Sequence, residues 1–150
     1  MDVPTLELND LNWIPERDAS DLSRPVASST AVVGGDAAKG RVDFFTQWEP
    51  NSFCSFHTHF GETVSVVLAG ELHVEELDGS KKVRKAGHYA CTPTGKRHYE
   101  CAGPDGALVF FSLQSADGGA FELVAKDGSS KGVVSVADML AGQLGLQVQP

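Results

Sequence analysis

The sequence is poor in cations, in cysteine and in long apolar runs, and each shortage removes a class of function. Twelve Lys and Arg stand against twenty Asp and Glu, a formal charge of −8 over 150 residues. A chain that acidic repels phosphate backbones and anionic lipid heads, so neither nucleic acid nor a membrane surface is expected as a partner. The three cysteines, Cys54, Cys91 and Cys101, form no CxxC pair, which argues against a disulfide framework and against a zinc ribbon. The longest apolar run, Val64 to Ala69, is broken by Ser65 and is too short to span a bilayer. The start, Met1-Asp2-Val3-Pro4, has neither the basic opening nor the apolar stretch of a signal peptide, so a cytoplasmic location is expected. Helical periodicity is also missing before residue 135.

What the chain does have is glycine, 16 residues of it, placed between short runs rich in Val, Phe, Leu and Thr. Strands are expected over residues 41–48, 53–59, 63–69, 71–77, 89–92, 97–101, 107–113 and 120–125. Many short strands with frequent turn signals read as an all-β sandwich or barrel. Three stretches follow: an irregular N-terminal arm over 1–30, with one edge strand near Thr30 to Val33 at its end, a barrel over 31–126, and a C-terminal extension over 127–150. In the extension, Ser135 followed three residues later by Asp138, with Gly142 beyond, is the pattern of a capped short helix. The basic run Lys81-Lys82-Val83-Arg84-Lys85 reads as an exposed edge strand, where lysine discourages pairing with other chains.

Chemistry concentrates in the histidines. His57 and His59 are two apart on an expected strand, so both rings leave one face, together with Phe53 and Ser55. Two imidazoles on one face make half of a metal site, or else a hydrogen-bonded polar pair. Gly70 follows His59 by eleven residues, at an expected tight turn. Further on, Gly87, Pro93, Gly95 and His98 are spaced as G-x5-P-x-G-x2-H. His73 is expected on a solvated face, His88 in an exposed turn, and Cys54, Cys91 and Cys101 as small apolar fillers.

These spacings resemble the cupin superfamily (RmlC-like), whose first motif is G-x5-H-x-H-x3-4-E-x6-G and whose second is G-x5-P-x-G-x2-H-x3-N. The second motif fits Gly87, Pro93, Gly95 and His98, with Ala102 in place of the closing Asn. The first fits His57, His59 and Gly70, with Asn51 in place of the opening Gly. The resemblance implies a jelly-roll β-barrel with a metal held by His57, His59 and His98. At the family's glutamate position stands Thr63, and the nearest acid, Glu62, is one residue early. A one-residue offset on a strand turns a side chain to the other face, so Glu62 reaches the ion only if the Phe60-Gly61 turn shortens or a bulge re-aims it, and otherwise faces solvent or lies close behind the site. Among cupins lacking that glutamate, the chain is similar to the small acetylacetone-cleaving and dihydroxyacetophenone-cleaving dioxygenases. That likeness implies Fe(II), with Mn, Ni or Zn as alternatives, a chelating diketone or hydroxyketone as small-molecule substrate, and dioxygen as co-substrate. Phe44, Phe53, Thr63, Tyr99 and Phe111 are then candidates for the pocket wall, or plain core. Two other readings compete. One is a metal-holding sensor module like the cupin domains attached to anti-sigma factors. The other is a metal-independent carbohydrate epimerase or isomerase, which would need a base paired with tyrosine. Cupins of this size often form dimers or larger homo-oligomers, and the same is expected here.

Overall fold

The computed structural model describes residues 5–145, so the outermost ends of the arm and of the C-terminal extension lie outside the described residues. Ten strands follow in order: β1 (Ile14–Asp18), β2 (Val26–Asp36), β3 (Arg41–Trp48), β4 (His57–His59), β5 (Glu62–Glu75), β6 (Lys81–Lys85), β7 (Tyr89–Thr92), β8 (Arg97–Gln114), β9 (Gly119–Val124) and β10 (Ser130–Ser135). One helix, α1 (Val136–Leu140), follows them. The alternation of branched and aromatic residues with polar ones makes strands, and all their pairings are antiparallel. One wall runs β1-β2-β3-β8-β5, with β6 and β7 on the far side of β5. The opposite wall, β4-β9-β10, hangs from the start of β8. This is the curled two-walled sheet of a cupin jelly roll, as expected from the sequence.

Several boundaries differ from the sequence reading. Residues 63–69 and 71–77, expected as two strands around a turn at Gly70, form the single strand β5. Gly70 bends that strand instead of ending it. It has φ 68° and lies against the Gly106 carbonyl, where a Cβ has no room. Register shifts there flip the inward set from Thr63, Ser65 and Val67 to Leu72 and Val74. Residues 97–101 and 107–113 likewise belong to one strand, β8, because both halves pair with the same β5. Of residues 53–59 only His57–His59 is regular strand. The arm is more ordered than expected: β1 lies within it, and β2 is an interior strand of eleven residues instead of an edge.

Other expectations match. Ser135 Oγ accepts from the Asp138 N–H and the Asp138 carboxylate accepts from the Ser135 N–H, each at 2.9 Å, which caps α1. Among the described residues the basic strand β6 pairs only with β5 and is an edge. Cys54 and Cys101 are partly buried as small fillers, but Cys91 departs from that expectation and is exposed, because β7 turns it outward.

The core fills the space between the walls with Val42, Phe44, Trp48, Leu72, Val74, Val109, Phe111 and Leu113. Phe44 stacks on Phe111 with centroids 5.1 Å apart, and Phe121 of β9 meets Phe44 edge-on at 6.1 Å. Offset and edge-on contacts of this kind favour one packing of the rings over others. Through Phe121 this aromatic group reaches the histidines.

Candidate metal centre

His57 and His59 leave the inner face of β4, and His98 leaves the inner face of β8, directly across the ladder from His57. Sequence reasoning missed the fourth member. Glu100 stands two residues after His98 on the same strand, so its carboxylate points the same way. The signal was present as His98-x-Glu100, the same two-residue spacing that joins His57 to His59. One ligand atom from each of the four lies within 4.8 Å of the other three, and the residues are 8, 2, 1 and 4% exposed in the order His57, His59, His98, Glu100.

Two neighbours fix the tautomers. The Ser55 carbonyl can only accept, so His57 Nδ1–H donates to it, at 2.7 Å. Thr63 donates its hydroxyl to the Gly61 carbonyl at 3.0 Å, so its lone pair accepts from His59 Nδ1–H at 3.1 Å. With Nδ1–H committed in both rings, each points its Nε2 into the cluster, and these two atoms are 3.2 Å apart. His98 Nε2 lies 3.1 Å from His59 Nε2 and 3.2 Å from Glu100 Oε1. Glu100 Oε1 is also 3.0 Å from His57 Nε2 and 3.8 Å from His59 Nε2. Lone pairs and a carboxylate converging at these distances repel unless a positive charge lies among them. Three imidazole nitrogens and one carboxylate oxygen suit a divalent transition metal, and the cluster could hold one.

Electrostatics agree with that requirement. Burial opposes charge on Glu100, yet its hydrogen bonds to the three imidazoles outweigh it and hold the carboxyl well below the usual range. Burial, with help from the charges of His57 and His98, pushes His59 down to about 4. Burial also opposes charge on His57, but contacts with Cys54 and Glu100 win and raise its pKa well above the ordinary value. Burial raises the Cys54 thiol as well. Cys54 is therefore neutral near pH 7, and Glu100 is the anion that draws a proton to His57.

The surroundings brace the cluster. Phe121 meets His57 and His59 edge-on at 5.2 and 5.3 Å. On the outer face of β4, Arg97 donates to Thr58 Oγ1 at 2.8 Å and pairs with Glu122 at 3.1 Å, tying β8, β4 and β9 together. Thr63 bonds His59, as described. Glu62 is exposed and points away from the cluster, the face that strand alternation assigns it. Tyr99, between His98 and Glu100 in sequence, faces outward and stacks on Phe56 at 4.1 Å, with Phe53 edge-on at 6.4 Å. Phe53 and Tyr99 thus line an outer cleft, whereas Phe44 and Phe111 lie in the barrel. His73 pairs with Glu71 at 3.0 Å, and His88 is exposed.

The model of a family described as the ChrR cupin-like domain matches residues 5–117. No curated protein matches the sequence. Among solved structures, an acetylacetone dioxygenase from Acinetobacter johnsonii superposes with a TM-score of 0.73, at 13% identity over 96% of this chain and 91% of that one. A candidate acetylacetone dioxygenase from Methylibium petroleiphilum PM1 gives 0.72, at 15% identity over 97% and 96%. An RmlC-like cupin protein from Ralstonia eutropha JMP134 gives 0.71, at 14% identity over 96% and 86%. At such identities the likeness is one of fold.

Proposed function

The chain belongs to the ChrR cupin-like domain family, and from that premise we propose that it is a mononuclear, metal-dependent dioxygenase acting on a small chelating diketone or hydroxyketone. The observation that carries this reading is the convergence of the His57, His59 and His98 Nε2 atoms with an ionised Glu100. Fe(II) is the proposed ion, with Mn, Ni and Zn as the other occupants that such donors accept. When bound, the ion would supply a Lewis-acid centre for an enolate and a meeting point with dioxygen.

The protein's own contributions are positional. Three neutral rings and one carboxylate leave a divalent ion with about one uncompensated positive charge, enough to favour an anionic enolate over a neutral ketone. The Ser55 carbonyl and the Thr63 hydroxyl hold two rings in the ligating tautomer. Phe121, Phe44 and Phe111 form an apolar wall beside the donors, which keeps water from competing there.

The test starts with element analysis of protein purified without a histidine tag. Fe(II)-loaded protein should then consume dioxygen when offered acetylacetone or related β-diketones. Stoichiometric Fe(II) with no uptake across the panel overturns the dioxygenase reading.

A second reading, a zinc-holding sensor module of the ChrR type, is favoured by the family match and by the near inaccessibility of all four donors to solvent. It predicts tightly held zinc and no dioxygen consumption. The epimerase reading fares worse. The chain has two tyrosines; Tyr89 is 66% exposed and Tyr99 sits in the outer stack, so neither joins the histidine cluster.

A further inference from the structure

We propose that Glu16, in the N-terminal arm, is a positioning residue for the metal centre, reaching it through Ser55 and His57. This rests on the reading of the histidine cluster as a metal site. The segment 53–56 that leads into β4 has no regular ladder, so its backbone groups find partners one at a time. Phe53 N–H donates to the Pro25 carbonyl at 2.8 Å and Cys54 N–H to the Glu100 carbonyl at 3.2 Å. The Ser55 N–H has a side chain as its acceptor, Glu16 Oε1, at 2.8 Å. The carbonyl of that same residue receives His57 Nδ1–H at 2.7 Å. A ligand's aim is therefore set by a carbonyl whose own residue is pinned by a carboxylate 39 positions earlier in the chain.

The arm makes a second contact beside the donors. Arg24 stacks over the Tyr99 ring at 4.2 Å and pairs with Glu75 at 2.8 Å, and Glu75 lies across the ladder from Tyr99. Tyr99 is flanked in sequence by His98 and Glu100, so this contact steadies the outer side of the strand that carries two donors. Between the contacts lies a cleft of about 740 Å³, lined by Arg24, Phe53, Cys54, Ser55, Phe56 and Tyr99 among others. The arm thus grips both strands of the donor set from outside. Glu16 is the grip with the shortest route to a ligand: two hydrogen bonds, each under 3 Å.

Groups that orient metal-bound histidines typically cost about 10–100-fold in affinity when removed. Glu16→Ala should lower Co(II) affinity by at least about tenfold, measured by competition with a chromophoric chelator, and should alter the visible spectrum of the Co(II)-loaded protein. Glu16→Gln keeps a carbonyl oxygen at the same reach and should restore both affinity and spectrum. Glu16→Asp keeps the charge but is one methylene shorter, and should lose affinity as Ala does. It carries the test if the alanine variant does not fold. Wild-type affinity and spectrum in Glu16→Ala, or in Glu16→Asp where Ala does not fold, overturn the proposal. Failure of Glu16→Gln to restore them also overturns it. A wild-type protein that binds no Co(II) or Zn(II) overturns the metal reading instead.

Discussion

Metal uptake by this protein should release a proton, and the donor geometry says from where. In the metal-free protein His57 Nε2 and Glu100 Oε1 are 3.0 Å apart, with Glu100 ionised and the His57 pKa well above its ordinary value of 6.5. His59, pushed down to about 4, is neutral at pH 7. The cluster therefore holds a proton on His57 Nε2, the atom an ion needs. Binding at pH 7 should expel about one proton, and affinity should fall about tenfold per pH unit below the His57 pKa. Stability of the metal-free protein follows the same pair with opposite signs. The raised His57 contributes fully below its unfolded pKa of 6.5, and that contribution is lost as pH rises through the folded value. The depressed Glu100 contributes fully above its unfolded pKa of 4.5, and that contribution is lost as pH falls through the folded value. The pair thus stabilises the metal-free chain most between pH 4.5 and 6.5. The metal-loaded chain gains further as pH rises. Isothermal titration with Zn(II) in buffers of different ionisation enthalpy counts the proton. Tight binding with equal heats in every buffer at pH 7 would refute this account of the cluster.

Three substitutions probe the remaining parts. Glu100→Gln removes the one anion among buried donors; at about 3–5 kcal/mol for breaking a buried ionic contact, metal affinity should drop about 150- to 5,000-fold, and a titration matching wild type would remove Glu100 from the ligand set. Thr63→Val keeps the shape but deletes the acceptor for His59 Nδ1–H, so affinity should fall about 10–100-fold with little change in secondary structure by circular dichroism. Gly70→Ala forces a Cβ into the Gly106 carbonyl at φ 68°. Denaturant unfolding should show a loss of about 1–3 kcal/mol or more, and an unshifted midpoint would mean Gly70 does not press on the Gly106 carbonyl.

The all-β architecture, the capped terminal helix and the motif histidines were legible because each has a local signature: alternation, a capping pair, a spacing. Strand ends were less so. Gly70 and the stretch Gly103 to Gly106 carry the residues of turns, and only the shared pairing of β5 with β8 shows that the chain bends there and continues. That is tertiary information, absent from any window of sequence. Glu100 was overlooked for a different reason. The family motif directs attention to the position after the second histidine, and Thr63 and Glu62 absorbed the search for a carboxylate that arrives from another strand. The arm's part in the site, through Glu16 and Arg24, has no local signature, since both act on backbone or rings more than 35 residues away.

The shape of the donor set follows from the ladder, and the coordination of an ion held there separates the two functional readings. His57 and His98 face each other across β4 and β8, with His59 beyond them on one side and Glu100 on the other. Side chains leaning inward from such a register form a four-membered ring. Its edges are 3.2, 3.1, 3.2 and 3.0 Å, and the His59–Glu100 diagonal is longer at 3.8 Å. The His57 and His98 rings, on the other diagonal, are 5.7 Å apart at their centroids, against 4.8 and 5.0 Å for the other two histidine pairs. Ligands about 2.1 Å from one ion lie about 3.0 Å apart at a right angle and about 3.4 Å apart at the tetrahedral angle. The four donors thus surround one small space, in which right-angle ligation would keep room for further ligands, as the dioxygenase reading requires, whereas a closed tetrahedron would suit the sensor. Substituting Co(II) makes the distinction visible, since tetrahedral Co(II) absorbs strongly in the visible and five- or six-coordinate Co(II) weakly. Weak bands that shift on adding acetylacetone are expected. Intense bands indifferent to added diketone would mean the ring closes to a tetrahedron around its ion, and the sensor reading would then stand in place of the dioxygenase.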